Sequence, residues 1–220
     1  MIKKRTAIIG QYNTAEHGWT LSEFSLSDPE QKLQYVEKVG GDGSWDMSTA
    51  LTDGIPKYKN RELKITLKCS QGNREHRKQL ISHMVNLLDG FEWPIIAPDH
   101  PDHYLTGRIH VAKKYNDLAH ASVEITGTVA PWFFSRRDIV VEVLASALQQ
   151  TVILRNSGRR PVAPKLTVAG DITITYGDIS TKLPAGTYDW PALLLTPGDH
   201  TVLYNGQGSL RISYQEAVLE

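Results

Sequence analysis

Apolar and polar residues alternate most clearly along the segment RELKITLKC, which begins at Arg61. Leu63, Ile65, Leu67 and Cys69 alternate there with charged or hydroxyl-bearing residues. A period of two is typical of a strand with one buried and one solvated face. The pattern therefore predicts a β-strand in which the cysteine is a core residue.

The chain then changes to helical spacing. Apolar residues recur three or four positions apart, at Leu80, Ile81, Met84, Val85, Leu87 and Leu88. Ser70 or Asn73 is placed to act as the N-cap, and Gly90 marks the C-terminal end. This segment is the one clear helix that the sequence predicts.

Other segments before residue 135 favour strands. The predicted strands are TAIIG (6–10), HYLTGRIHVAKKY (103–115) and ASVEITGTVA (121–130). KKYNDLAH links the last two in the manner of a hairpin.

From Asp138 onward, turn signals follow one another at short intervals. The segments between them predict seven short strands, at 138–144, 151–156, 164–170, 171–177, 192–196, 200–205 and 209–214. Short strands at this spacing are typical of an antiparallel sandwich. We place a boundary near Ser135, between an α+β domain (1–135), mainly antiparallel with one helix, and an all-β domain (136–220).

Charge and composition argue against several classes of function. Twenty-four Lys and Arg balance 24 Asp and Glu, so no global field favours direct nucleic-acid recognition or binding to an anionic membrane. Cys69 is the single cysteine, which excludes an internal disulfide and a cysteine-pair zinc site. Apolar runs are too short for a signal peptide or a membrane span, so we expect synthesis in the cytoplasm.

Two segments have the residue types of a cation site. In GGDGSWDMSTALTD, Asp42, Ser44, Asp46 and Asp53 occupy positions 1, 3, 5 and 12 of a calcium loop. Position 6, however, is Met47 where such a loop needs glycine, and position 12 lacks the bidentate Glu. The residues therefore favour a surface loop.

The second segment is APDHPDHYLTGRIH. It supplies possible ligands for a divalent metal at Asp99, His100, Asp102, His103 and His110. The same residue types with proline are also simple turn formers between strands.

Catalytic motifs are absent from the sequence. It contains no G-x-S-x-G, no H-E-x-x-H and no three-glycine phosphate loop. A glycosidase-type carboxylate pair needs only proximity in space, and nothing in the sequence selects one. We expect no enzyme activity, no cofactor and no bound metal.

Aromatic residues give the best contact candidates. Trp45, in a glycine-rich loop with Asp42 and Met47, is the predicted interface with another chain. Tyr188 and Trp190 form a second candidate, for a weak contact with a sugar or a partner protein.

Read in order, several motifs resemble those of the distal tail protein (Dit) family of long-tailed, non-contractile bacteriophages. They are GGDGSWDMSTAL, YKNRELKITL, the helix ending LLDG, APDHPDHYLTGRIHV, ITGTVAPWFFS, NSGRRPVAPKLTV and LTPGDHTVLYNGQGSLRISYQEAVL. They cover essentially the whole chain.

The resemblance implies a structural role at the tail tip of a virion. It implies a homohexameric ring, built by the N-terminal domain, that joins the tail tube protein to a tail-associated baseplate or fibre protein. It also implies that the C-terminal domain is a galectin-like sandwich. The sugar-binding motif H-x-N-P-R of galectins is absent, and Pro191 follows Trp190. A galectin-like fold would therefore not by itself imply a sugar-binding site.

Two alternatives remain open at this point. One is a carbohydrate-binding module that holds host-surface glycans through the C-terminal domain, repeated around a ring. The other is a metal-dependent hydrolase, which depends only on the Asp99–His110 residues. The structural tail-tip protein is the reading that we favour.

Overall fold

The computed structural model describes residues 6–52 and 54–219. The chain divides into two compact units, one that ends at Phe133 and a second that covers Phe134–Leu219. Each unit buries its own set of apolar side chains.

The first unit consists of antiparallel strands and one helix. Its elements are β1 Ile8–Ile9, β2 Tyr12–Asn13, β3 Thr20–Leu26, β4 Tyr35–Glu37, β5 Ser44–Asp46, β6 Arg61–Cys69, α1 Arg74–Leu88, β7 Glu92–Ile96, β8 His103–Asn116 and β9 Ala121–Val129. Seven strands are hydrogen-bonded in the order β2-β1-β7-β8-β9-β6-β3, and β4 and β5 form a separate hairpin. The short strand β10 (Phe133–Ser135) lies at the boundary of the units.

The predicted strand at 61–69 is confirmed as β6. Its four alternating apolar side chains are buried, and it pairs with β3 on one side and β9 on the other. Ile65 lies opposite Ile125 on the buried face, whereas Lys64 lies opposite Thr126 on the other. The alternation in sequence is therefore the alternation between core and polar faces of a central strand.

The predicted helix is confirmed as α1. Asn73 is the N-cap, and its side-chain oxygen accepts a hydrogen bond from the His76 N–H at 2.8 Å. Gly90, with φ 79°, follows the C-cap Asp89. Ile81, Met84 and Leu88 are buried, as the spacing predicts. The described residues contain no helix long and apolar enough to cross a membrane.

The hairpin predicted at 103–130 is also confirmed, as β8 and β9. The strand predicted at 6–10 is shorter than expected. Only Ile8–Ile9 pairs, because Gly10 has φ 58° and turns the chain against the ring of Trp93. A Cβ at residue 10 would lie 2.5 Å from that ring, so the turn depends on glycine.

The second unit is all β in its described residues. Its strands are β11 Ile139–Ala145, β12 Gln150–Asn156, β13 Lys165–Tyr176, β14 Ile179–Leu183, β15 Gly186–Asp189, β16 Gly198–Tyr214 and β17 Ala217–Val218. Six of them form one antiparallel sheet, in which β13 and β16 are the long central pair. β11 and β12 pair with successive halves of β16, and β15 and β14 pair with successive halves of β13.

Two predicted turns are wrong. The Gly170-Asp171 and Asn205-Gly206 signals lie inside β13 and β16, so that four predicted strands are two long ones. Gly208 also lies inside β16 rather than in a hairpin. Gly170 is opposite Gly208, and both have positive φ (114° and 127°). These glycines let the backbones of the paired strands approach closely where turns were expected.

The strand predicted at 192–196 is likewise wrong, since only Leu195 forms an isolated bridge, to Val162. The strands β14 and β15 were not predicted. Their residues alternate less regularly between apolar and polar types than those of β6.

The long central pair and the strands beside it contribute to one core. The buried side chains are Val152, Leu154, Leu166, Val168, Ile172, Ile174, Leu183, Leu193, Leu195, Val202, Tyr204, Leu210, Ile212 and Tyr214. The predicted class, an α+β part followed by an all-β part, is confirmed. The six paired strands of this unit belong to one hydrogen-bonded sheet, and the galectin-like sandwich stays a prediction.

Candidate functional site

The most unusual surface of the first unit is a projecting hairpin. Every residue from Gln31 to Met47 is exposed, and we call this segment the arm. It includes β4 and β5, which pair with Val36 opposite Trp45 and Tyr35 opposite Asp46. The arm leaves the sheet after β3 and returns before β6.

The base of the arm is held by a short ladder. Lys32 donates its N–H to the carbonyl of Lys57 at 2.8 Å, and Lys59 donates its N–H to the carbonyl of Glu30 at 2.8 Å. Tyr58 in this ladder packs edge-on against Trp132, with ring centroids 5.4 Å apart. The arm therefore starts from a fixed position on the unit.

Three apolar side chains share one face of the arm. Because side chains alternate along a strand, Val36, Trp45 and Met47 share a face, and they are 44%, 55% and 43% exposed. The Lys38 ammonium lies 6.0 Å from the centre of the Trp45 ring. A hairpin of two strands is marginally stable alone in water, so this face is chemically suited to a contact that buries it.

The polar groups of the arm fix its shape. The Asp46 carboxylate accepts a hydrogen bond from the Ser48 N–H at 2.9 Å. The pKa of Asp46 is lowered by the Ser48 hydroxyl and, second, by this N–H. Ser48 in turn accepts from the Gln34 N–H at 2.8 Å through its hydroxyl. These bonds stabilise the arm where it joins the following turn.

The structure separates the residues of the would-be calcium loop. Asp42 lies in the turn between β4 and β5, between Gly40 and Gly43 with φ of 73° and 77°. The Asp46 carboxylate is engaged by Ser48, and Asp53 lies outside the described residues. Within residues 6–52 and 54–219, no group of three or more metal-ligating side chains converges.

The candidate ligands between Asp99 and His110 form no convergent group of three among the described residues either. The His100 ring packs against Phe133 with centroids 4.7 Å apart. His110 lies on the polar face of β8, where its Nδ1 is 2.7 Å from Asp89 Oδ1. The Val111 N–H, at 2.8 Å, is the main cause of the lowered pKa of Asp89. This carboxylate ties the end of α1 to β8, which is a structural role.

Tyr188 and Trp190 are half-buried in the second unit. Both pack against its hydrophobic core. The Tyr188 hydroxyl donates to the carbonyl of Pro184 at 2.9 Å, and the carbonyl of Trp190 accepts from the Leu193 N–H at 3.0 Å. Their contact with a sugar or a partner protein stays a prediction.

Comparison with solved structures gives an informative neighbour. A crystal structure described as that of the SPP1 Dit protein, "a Paradigm of Hub Adsorption Apparatus in Gram-positive Infecting Phages", matches with a TM-score of 0.68. The match covers 96% of this chain and 98% of the other. This chain has a Dit-like fold.

The likeness lies in the fold and not in the residues. The two sequences are 13% identical. No family model matches the chain, and no curated protein matches it either. The Dit-like fold expected from the ordered motifs is therefore confirmed as a fold, while the role of the chain has to be argued from its own surface.

Proposed function

We propose that this chain is a structural protein of a phage tail tip, in which six copies form a ring. The ring would connect the tail tube protein to tail-associated, baseplate or receptor-binding proteins and leave a passage for DNA. The observation that carries the proposal is the arm, whose apolar face is exposed on a chain with a Dit-like fold.

Leaving the apolar face of the arm in water is unfavourable. Trp and Met side chains gain free energy when they leave water, and contiguous exposed apolar residues mark interaction sites. The side chains of Val36, Trp45 and Met47 remain partly exposed to solvent within the described residues. We infer that a second copy of the chain covers them.

The symmetry of such a contact favours a ring. An arm that lies on a different surface of the next copy makes a heterologous contact, and contacts of this type close into rings when the rotation fits. Asp42, at the tip of the arm, would lie at the edge of this interface. The number of six comes from the Dit family, as does the assignment of the ring to residues 1–135.

The second unit would then provide contacts away from the ring, as a galectin-like domain over 136–220. The proposal assigns no catalysis, cofactor or metal to the chain. It places the protein in the tail tip of the virion after synthesis in the cytoplasm of a bacterial host.

Electron microscopy of the purified protein in negative stain tests this proposal. We expect rings with six-fold symmetry and a central channel. A closed assembly of a different order, or particles of single chains only, would contradict it.

A further inference from the structure

Five arginines gather at one end of the second unit, although they are far apart in sequence. Three segments form this region, 134–138, 155–160 and 214–217, which we call the arginine end. Its arginines are Arg136, Arg137, Arg155, Arg159 and Arg160, and all five are exposed. In the sequence they are only two short basic pairs and a single residue.

Backbone hydrogen bonds around residues 214–217 hold the arginine end together. The N–H groups of Arg159 and Arg160 both donate to the Ala217 carbonyl, at 3.0 and 3.4 Å. The Ser135 N–H donates to the Glu216 carbonyl at 2.9 Å. Gly158 allows this approach, because a Cβ there would lie 2.5 Å from the Ala217 oxygen.

Charge is unevenly distributed over the second unit. Five of its eight Lys and Arg residues lie at the arginine end, near three carboxylates, Asp138, Asp199 and Glu216. Elsewhere in the unit, Lys182 is 3.2 Å from Asp171, and Arg211 is 3.0 Å from Glu142. The arginine end therefore carries an excess of positive charge on a unit that is otherwise nearly neutral.

Two of these guanidinium groups have hydrogen-bond donors to spare. Arg160 lies over the Phe134 ring, 5.2 Å from its centre, a contact that orients the group without using its N–H donors. Among the described residues, neither Arg137 nor Arg160 forms an ion pair with a carboxylate. Both present forks suited to two-point binding of an anion.

We propose that the arginine end binds a flexible polymer of repeated phosphate groups. A flexible chain with one charge per repeat can follow arginines that three separate segments supply, and it engages several of them at once. None of the strongly exposed apolar side chains of this unit lies in the arginine end, although a protein interface is usually centred on such anchors. Four of the five arginines lie outside helices and strands, and Arg155 alone is on a strand, β12, so no helix or ribbon presents them together to a duplex groove.

This inference goes beyond the proposed function and does not depend on ring formation. It is tested by fluorescence anisotropy on the full chain, with fluorescently labelled long-chain inorganic polyphosphate as the probe. The test variant is Arg137→Gln with Arg160→Gln. The matched control is Lys182→Gln with Arg211→Gln, which removes the same charge from the other surfaces of the unit.

We expect the test variant to bind polyphosphate roughly 30-fold more weakly than the wild type, and the control to bind within about threefold of it. The dependence of log affinity on log salt should become shallower in the test variant alone. Arg137→Lys with Arg160→Lys keeps the charge but loses the forks, and should show an intermediate loss.

Competition identifies the source of the anion. Poly-L-glutamate and duplex DNA, each at matched charge concentration, should displace the probe much less well than unlabelled polyphosphate. Equal competition by polyglutamate would indicate an acidic protein partner, and equal competition by DNA a nucleic acid; either result would overturn the proposal. An equal loss in the test and control variants would overturn it as well.

Discussion

At the scale of single residues, Arg77 shows how a charged side chain can be part of a core. It is 1% exposed on the buried face of α1. Its guanidinium donates to the carbonyls of Gly72, Asp117 and Leu118 at 2.6, 2.9 and 2.9 Å. One side chain thus satisfies three backbone acceptors, in the loop before the helix and in the β8–β9 turn.

Arg77→Met should destabilise the first unit by roughly 3 kcal/mol, because it removes three hydrogen bonds from a buried charged group to backbone carbonyls. The measurement is urea unfolding followed by circular dichroism. Arg74→Met, at an exposed position of the same helix, is the control and should change stability by less than about 0.5 kcal/mol. Similar losses in both variants would show that helix propensity, and not the three carbonyl contacts, explains the effect.

Asp89 gives a pH-dependent prediction. Its pKa is lowered in the folded state, first by the Val111 N–H and then by His110. A lowered folded pKa means that the stabilisation is complete above the unfolded pKa of about 3.9 and is lost as the pH falls through the folded value. Asp89→Asn should therefore be less stable than the wild type at pH 7, and the two should converge in acid.

Thermal unfolding from neutral pH to acid measures this convergence. Asp28→Asn, an exposed position in the same unit, serves as the control and should follow the wild type throughout. A constant difference between Asp89→Asn and the wild type over the whole range would contradict the assignment.

At the scale of elements, sequence periodicity predicts the strands and helices whose buried side chains recur at a regular spacing. β6, α1, β8 and β9 were predicted because each presents one regular apolar face to a neighbour. The long strands of the second unit were misread because Gly-Asp and Asn-Gly are usually turn signals. Only the pairing of Gly170 with Gly208 across the sheet shows that these glycines lie inside paired strands, and that pairing is not local in sequence.

The candidate site was predictable in part for the same reason. The sequence pointed to Trp45, because an aromatic residue in a glycine-rich segment suits a contact. It did not reveal that Val36 lies opposite Trp45, or that the whole segment from Gln31 to Met47 is exposed. The clue was the apolar and polar alternation on both sides of GGDG, which is short and therefore weak. The arginine end depends on contacts between distant segments and could not be predicted.

Gly208→Ala tests the close approach of the backbones of β13 and β16. A Cβ at residue 208 would lie 1.7 Å from the Ala169 oxygen in a backbone conformation with φ 127°. We expect a loss of at least roughly 3 kcal/mol in the unfolding transition of the second unit. Gly177→Ala also has positive φ but open space around it, and should cost only about 1 kcal/mol. Equal costs would mean that backbone conformation alone, and not the close approach of two strands, sets the requirement for glycine.

At the scale of the whole molecule, the proposed function predicts that assembly requires the apolar face of the arm. Trp45→Asp with Met47→Asp places two charges on its apolar face, and burying them unpaired is unfavourable. We expect this variant to remain a folded single chain. Leu118→Asp, at an 89% exposed position in the β8–β9 turn, is the matched control and should assemble like the wild type. Loss of assembly in the control but not in the arm variant would place the interface elsewhere.

The absolute mass of the wild-type protein, measured by light scattering over a concentration series, tests the central claim most directly. The ring predicts a species of six times the 24.6 kDa chain, converted to single chains by the arm substitutions. A mass of one chain at every concentration, or a hexamer that the arm substitutions leave intact, would contradict a ring closed by the arm.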